Sequence, residues 1–168
     1  MAVLTRNEIL KLIKKGSVKV TPFNDKQVGP ASIDLALSNE FRIFKKGSKI
    51  VLDEKTNAND YTKVVKQDSI VIKPGEFIHG ITIEKIKLPE NVCGFLYGRS
   101  RFARMGILIH ATASFIQPGI NNKQVLEIKN ISPRKIVLNK GLKICQLILM
   151  EMKGKAKYSG RYKNQEKV

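Results

Sequence analysis

Two stretches of this sequence carry side chains whose types and spacing suit chemistry. The first is Gly98-Arg-Ser-Arg-Phe-Ala-Arg-Met-Gly106, with three arginines and a serine between two glycines. Wound into a helical turn, it places Ser100 and Arg104 on one face. The turn then offers amide N–H groups, a hydroxyl and guanidinium groups to an anion. The plainer reading is a basic surface turn with Phe102 plugging the core. The second stretch is Val125-Leu-Glu-Ile-Lys-Asn130. Strand alternation sends Glu127 to the face opposite Leu126 and Ile128, and that face is either solvent or an internal pocket. In a pocket, burial raises the pKa of a carboxylate and suits it to general acid and base work near neutral pH.

Several other chemistries lack their residues. There is no Cys-x-x-Cys pair beside a His or Cys ligand and a Glu, so zinc deaminase chemistry is excluded. Cys93, Cys145, His79 and His110 are too scattered for a structural zinc site, and the cysteines read as buried thiols within strands. Ser100 has no Gly-x-Ser-x-Gly elbow, and both a Walker A loop and a dinucleotide glycine fingerprint are missing.

The elements that must position these residues are short strands. Thr5-Arg-Asn-Glu8 reads as a capping box, Ile9, Leu10, Leu12 and Ile13 follow helical spacing, and Gly16 supplies a stop, which predicts one N-terminal helix. Beyond it the period changes to two. Strands are expected at 17–21, 31–37, 40–44, 48–52, 92–96, 107–111, 125–128, 135–138 and 143–152, with a polar loop at 53–63. Segments 69–72 and 77–83, joined by Pro74-Gly75, read as a hairpin. Pro118-Gly119 and Asn139–Gly141 mark further turns. Short strands at this spacing predict an all-β sandwich or barrel. The stretch 154–168 is rich in Gly, Lys and Tyr and reads as a frayed terminus.

At 168 residues and 42% apolar, the chain is one domain with enough core to fold. Its apolar runs are far shorter than the ~20 residues of a membrane span, and no secretory signal opens it, so a soluble, cytoplasmic protein without membrane partners is expected. The formal net charge is +17. It is spread along the chain, which favours a solvated basic surface over nucleic-acid binding and is compatible with a phosphate pocket.

Taken together and in order, these stretches resemble the deoxycytidine triphosphate deaminase branch of the dUTPase-like superfamily. The resemblance runs through Ala31-Ser-Ile-Asp-Leu35, Asn39-Glu-Phe-Arg42, Pro74-Gly-Glu76, Leu88-Pro89, Gly98–Gly106, His110-Ala-Thr-Ala113, Pro118-Gly119 and Val125-Leu-Glu127. It ends in Tyr158-Ser-Gly-Arg-Tyr-Lys-Asn-Gln165. It implies a distorted β-barrel domain over 1–153, assembled as a homotrimer with active sites between subunits, and a tail over 154–168 that orders over the site on binding. The implied reaction is zinc-independent hydrolysis of dCTP to dUTP and ammonia, with Mg²⁺ carried in on the triphosphate and no metal held by the protein. By resemblance, Glu127 shuttles protons, Ser100 positions water or substrate, and Arg104 orients them. Ala111, Thr112 and Ala113 meet the pyrimidine edge, Arg99 and Ser100 hold phosphates, and Tyr158, Arg161 and Gln165 close over the triphosphate.

Three positions depart from that pattern. Gln117 stands where an aspartate is usual; a neutral amide can hydrogen-bond the sugar but cannot serve as a base. Arg101 replaces a small residue, and Arg161 replaces a lysine. An inactive or regulatory paralogue therefore stays open, beside a dUTP diphosphatase, a bifunctional deaminase and diphosphatase, and a non-catalytic nucleotide- or nucleic-acid-binding β-module.

Overall fold

The computed structural model describes residues 2–168. Twelve strands run β1 (Ala2–Val3), β2 (Lys19–Thr21), β3 (Ile33–Phe44), β4 (Thr62–Lys66), β5 (Ser69–Ile72), β6 (Phe77–Lys87), β7 (Val92–Gly98), β8 (Ile107–Ile109), β9 (Phe115–Ile116), β10 (Asn121–Asn130), β11 (Ile136–Asn139) and β12 (Lys143–Glu151). Three short helices join them: α1 (Arg6–Lys14), α2 (Ala58–Tyr61) and α3 (Ser100–Ala103). Ten strands form one antiparallel sheet ordered β8-β10-β6-β3-β12-β7-β9, with β1, β2 and β4 paired at its flanks, while β5 and β11 form a separate ribbon. The path has two ends, so the sheet is a curled half-barrel. Its concave side holds one core built from Ile9, Ile33, Leu35, Leu37, Phe41, Leu96, Leu126, Ile128 and Leu147, all excluded from solvent. Each side chain of this size contributes about 1.5–3 kcal/mol on burial.

The N-terminal helix forms where its spacing predicts, with Ile9 fully buried. Gly16, at φ +72°, ends it: the Ser17 N–H donates to the Leu12 carbonyl at 3.0 Å and the Gly16 N–H to that of Ile13 at 2.9 Å. The capping box does not form. The Thr5 side chain makes no cap bond, and Glu8 lies 3.5 Å from Lys11 instead.

Tertiary pairing rearranges several expected strands. Segments 31–37 and 40–44 are one strand, β3; Ser38 and Asn39 ride through a register shift against β6. Segment 48–52 is no strand, since β4 already takes that edge of β3, and Leu52 is left 81% exposed. The polar stretch 53–63 contains α2 and the start of β4. The turn at Gly75 (φ +76°) is present, but β5 and β6 are not a hairpin: β5 pairs with β11, and β6 with β2, β3 and β10. The reason is that β6 runs through the middle of the large sheet, where β3 and β10 occupy both its edges. Cys93 and Cys145 are free and buried, and burial pushes both thiols up.

Candidate functional site

Strand β10 alternates as its sequence does, with Leu126 and Ile128 in the core and Glu127 on the other face. That face is the floor of a cleft of about 1380 Å³. Register builds a row across it. Glu127 lies opposite His79 on β6, and His79 lies opposite Arg42 on β3. On the far side, the His110 N–H donates to the Glu127 carbonyl at 2.7 Å. Cross-strand neighbours of this kind have Cβ atoms roughly 4.5–5.5 Å apart, so Arg42, His79, Glu127 and His110 line one wall of the cleft.

Strand β8 ends at Ile109 because His110 adopts φ +61°, which an extended strand cannot continue. The chain turns there and brings Thr112 over Glu127. The Thr112 N–H donates to Oε2 at 2.7 Å and its hydroxyl to Oε1 at 2.5 Å. Burial by itself pushes the Glu127 carboxyl up, but these two bonds and the nearby His110 and His79 outweigh it and hold the group below its ordinary range. The elevated pKa expected from the sequence is therefore corrected: a half-buried carboxylate gripped by two donors stays ionised. Burial lowers both histidines below their usual range. The Nδ1 atoms of both are buried without a hydrogen-bond partner, while His110 Nε2 sits 2.9 Å from the Ala113 carbonyl.

The tail is not frayed. β8 pairs only with residues 128–130 of β10, which leaves ladder positions open at the start of β10. The tail takes them: the N–H groups of Asn121 and Lys123 donate to the Lys163 and Gln165 carbonyls, each at 2.9 Å. Asn122 Nδ2 donates to the Tyr162 carbonyl at 2.6 Å, the Tyr158 N–H to the Pro118 carbonyl at 3.0 Å, and Arg42 to the Val168 carbonyl at 2.6 Å. Lys85 pairs with Glu166. Tyr158 to Val168 thus roof the cleft and bring Arg161, Lys163 and Lys167 to it.

Of the residues named from the sequence, Glu127, Ala113, Gln117, Tyr158, Arg161 and Gln165 line this cleft. Thr112 reaches Glu127 directly, and Ala111 is exposed beside it. Ser100, Arg104 and Arg99 lie outside the lining of the cleft. Ser100 opens α3, where its carbonyl accepts from the Arg104 N–H at 3.1 Å, and both residues are exposed. Arg99 is tied to Asp34 at 3.2 Å and donates to the Lys143 carbonyl at 2.9 Å. Phe102 packs against the core, as a plug should. Sequence reasoning missed His79 and the role of Arg42 in the row. The alternation Phe77-Ile-His79 signalled that His79 faces away from Ile78, but only the strand register reveals that it faces Glu127. Among the described residues, no group of three or more His, Cys, Asp or Glu side chains forms a metal-holding set, and no helix is long and apolar enough to cross a membrane.

The curled antiparallel sheet is a fold this chain shares with solved deaminase and dUTPase structures. A crystal structure of 2'-deoxycytidine 5'-triphosphate deaminase from Agrobacterium tumefaciens superposes with a TM-score of 0.68 at 21% identity, over 88% of this chain; the chain spans about half (47%) of that one. A mutant dUTPase from phage phi11 of S. aureus gives 0.52 at 16% identity, over 86% of this chain and 97% of the other. Residues 3–152 match the dCTP deaminase-like family model, and the chain belongs to that family. Curated relatives named "dCTP deaminase, dUMP-forming" include those of Mycolicibacterium vanbaalenii, 36% identical over 93% of this chain and 84% of the relative, and Parafrankia sp., 35% identical over 97% and 86%. That of Dictyoglomus turgidum is 32% identical over 98% and 91%. These relatives are enzymes.

Proposed function

We propose that this protein hydrolytically deaminates dCTP, and the observation that carries the reading is Glu127 on the floor of the basic, tail-roofed cleft. Glu127 takes a proton from the water that attacks C4 of cytosine. It then returns protons to N3 and to the departing amine, so that dCTP and water become dUTP and ammonia. The resting bonds from Thr112 keep the carboxylate ionised and ready to accept that proton. Arg161, Lys163 and Lys167 on the tail, with Arg42 and Lys123, suit a triphosphate that brings its own Mg²⁺. A nucleotide substrate of this kind suits a cytoplasmic protein.

Ser100 opens α3, and Arg99 and Arg104 cap its two ends, away from their own chain's cleft. They serve the reaction if a neighbouring copy presents α3 to it, which is the homotrimer with sites at subunit boundaries. Ser100 then positions water, Arg104 orients it, and Arg99 meets phosphate.

The names of the relatives print dUMP as the product, against the dUTP expected from the sequence; on that reading the triphosphate is cleaved as well, dUTP is an intermediate, and dUMP leaves. Gln117 lines the cleft but cannot be a base, and Glu166 there is paired with Lys85, so Glu127 is the carboxylate of the cleft left to activate the second water too. Incubation with dCTP or dUTP and MgCl₂, followed by nucleotide chromatography and ammonia and pyrophosphate assays, tests both. Ammonia with dUTP supports deamination only, ammonia with dUMP and pyrophosphate supports both steps, and unchanged dCTP overturns the proposal.

A further inference from the structure

His79 is a half-buried polar side chain in the cleft wall, and among the described residues it makes no hydrogen bond that would account for it. Its Nδ1 is shut off from solvent and has no hydrogen-bond partner among the described residues, and an orphaned buried nitrogen is a cost to the fold unless something uses it. Its ring is fixed by Phe77, which meets it edge-on at 5.0 Å between centroids, with Phe44 at 6.3 Å. The groups that face it are few. From β3 comes Arg42, whose guanidinium is committed to Asn59 at 2.7 Å, Thr62 at 2.9 Å and the Val168 carbonyl at 2.6 Å. From β10 comes Glu127, and from the turn after β8 comes His110, whose Nε2 already meets the Ala113 carbonyl. The docked tail adds Arg161, Lys163, Glu166 and Lys167 to the same cleft. Only Glu127 is an acceptor in register with His79, and both its oxygens are held by Thr112 at rest. A carboxylate that must meet water and substrate has to leave at least one of those bonds.

We propose that His79 is a positioning residue for the deamination: its Nδ1–H donates to the Glu127 carboxylate when that carboxylate releases Thr112, and so fixes the proton carrier toward the substrate. This rests on the reading of Glu127 as proton carrier. Glu127 has two stations, Thr112 at rest and His79 at work, and the orphaned nitrogen is the empty half of the second.

The test uses the full chain with His79→Leu, His79→Asn and His79→Gln. The amide nitrogen of Asn lies two bonds from Cβ, as Nδ1 does, whereas that of Gln lies one bond further. With dCTP, His79→Leu should lower kcat about tenfold to a hundredfold with little change in KM. His79→Asn should recover most of the loss, and His79→Gln little. The acid limb of the kcat profile should move to higher pH in His79→Leu, because Glu127 loses a donor that favours its charged form; Arg42 and His110 are unchanged in all three variants. Equal kcat in wild type and His79→Leu, or equal loss in all three variants, overturns the proposal. Carbon-13 titration of the Glu127 carboxyl in a Thr112→Ala background, which frees Oε1 from its resting bond and needs no turnover, separates this from a wrong substrate. A midpoint raised in His79→Leu supports the coupling even if dCTP is not consumed, and an unmoved midpoint overturns it.

Discussion

Glu127 and Glu84 stand on adjacent strands of one sheet, and their surroundings drive them in opposite directions. Glu84, on β6, is 2% exposed. It sits where β10 shifts register, between Lys123 and Val125, and just past Thr82, the last residue of β6 in register with β3. Its carboxylate patches the gap, accepting from the Ala36 N–H at 2.9 Å and from Gln27 Nε2 at 2.7 Å, while the Thr82 hydroxyl accepts from the Gln124 N–H at 2.9 Å. Burial outweighs those donors and raises its pKa. Glu127 accepts a similar pair of bonds, yet it lies half-buried in a cleft, and the donors win. An acid with an elevated pKa is thus not by itself a mark of chemistry. Glu84 lies outside the lining of the cleft and serves the backbone; Glu127 faces room for a ligand.

The strongest way to break this contrast is substitution of each acid in turn. Glu127→Gln keeps shape but cannot carry protons, so dCTP turnover should fall by about a thousandfold or more while the chain stays folded. If sites form between chains as proposed, activity should partly return when this variant is refolded together with Ser100→Ala, because mixed assemblies would contain some intact sites; no recovery would overturn that sharing. Deleting residues 155–168 removes the roof of the cleft and leaves the Glu84 patch alone. KM for dCTP should rise by about tenfold or more while the far-ultraviolet circular dichroism stays that of the sheet. Glu84→Ala strands the Ala36 N–H and the Gln27 amide, and urea unfolding should show a loss of about 3 kcal/mol. Its turnover per folded molecule should stay close to that of the wild type.

The finest discrimination is by pH. Glu84 has a folded pKa above its unfolded value near 4.5, so its contribution is full below that value and is lost as pH rises through the elevated one. Glu127 has a folded pKa below the same unfolded value. Its contribution is present above about 4.5 and is lost as pH falls through the lowered one. Stability differences from wild type for Glu84→Gln and Glu127→Gln, measured by urea unfolding from pH 3 to 7, should therefore have opposite slopes. Parallel slopes would end the distinction between the two acids.

Most of the strand positions could be read from alternation, and so could the side to which Glu127 points, because period-two patterning is a local property. Gly16 and Gly75 marked true stops for the same reason: a positive φ is a demand on one residue. The motif that named the tail was also legible, since residue types at fixed spacing survive without coordinates. Partner choice was not. Pro74-Gly75 looked like a hairpin turn, yet β5 left for β11, and segment 48–52 had the pattern of a strand but no free edge to join. The site divides along the same line. Sequence determined that a strand glutamate, an arginine-rich turn and a basic tail exist in this order. Only tertiary structure decided that His79 and Arg42 stand in register with Glu127, that Thr112 grips it, and that Ser100 and Arg104 lie outside its cleft. Register is a long-range quantity set by where bulges fall and which edges remain open, and those depend on every strand of the sheet at once.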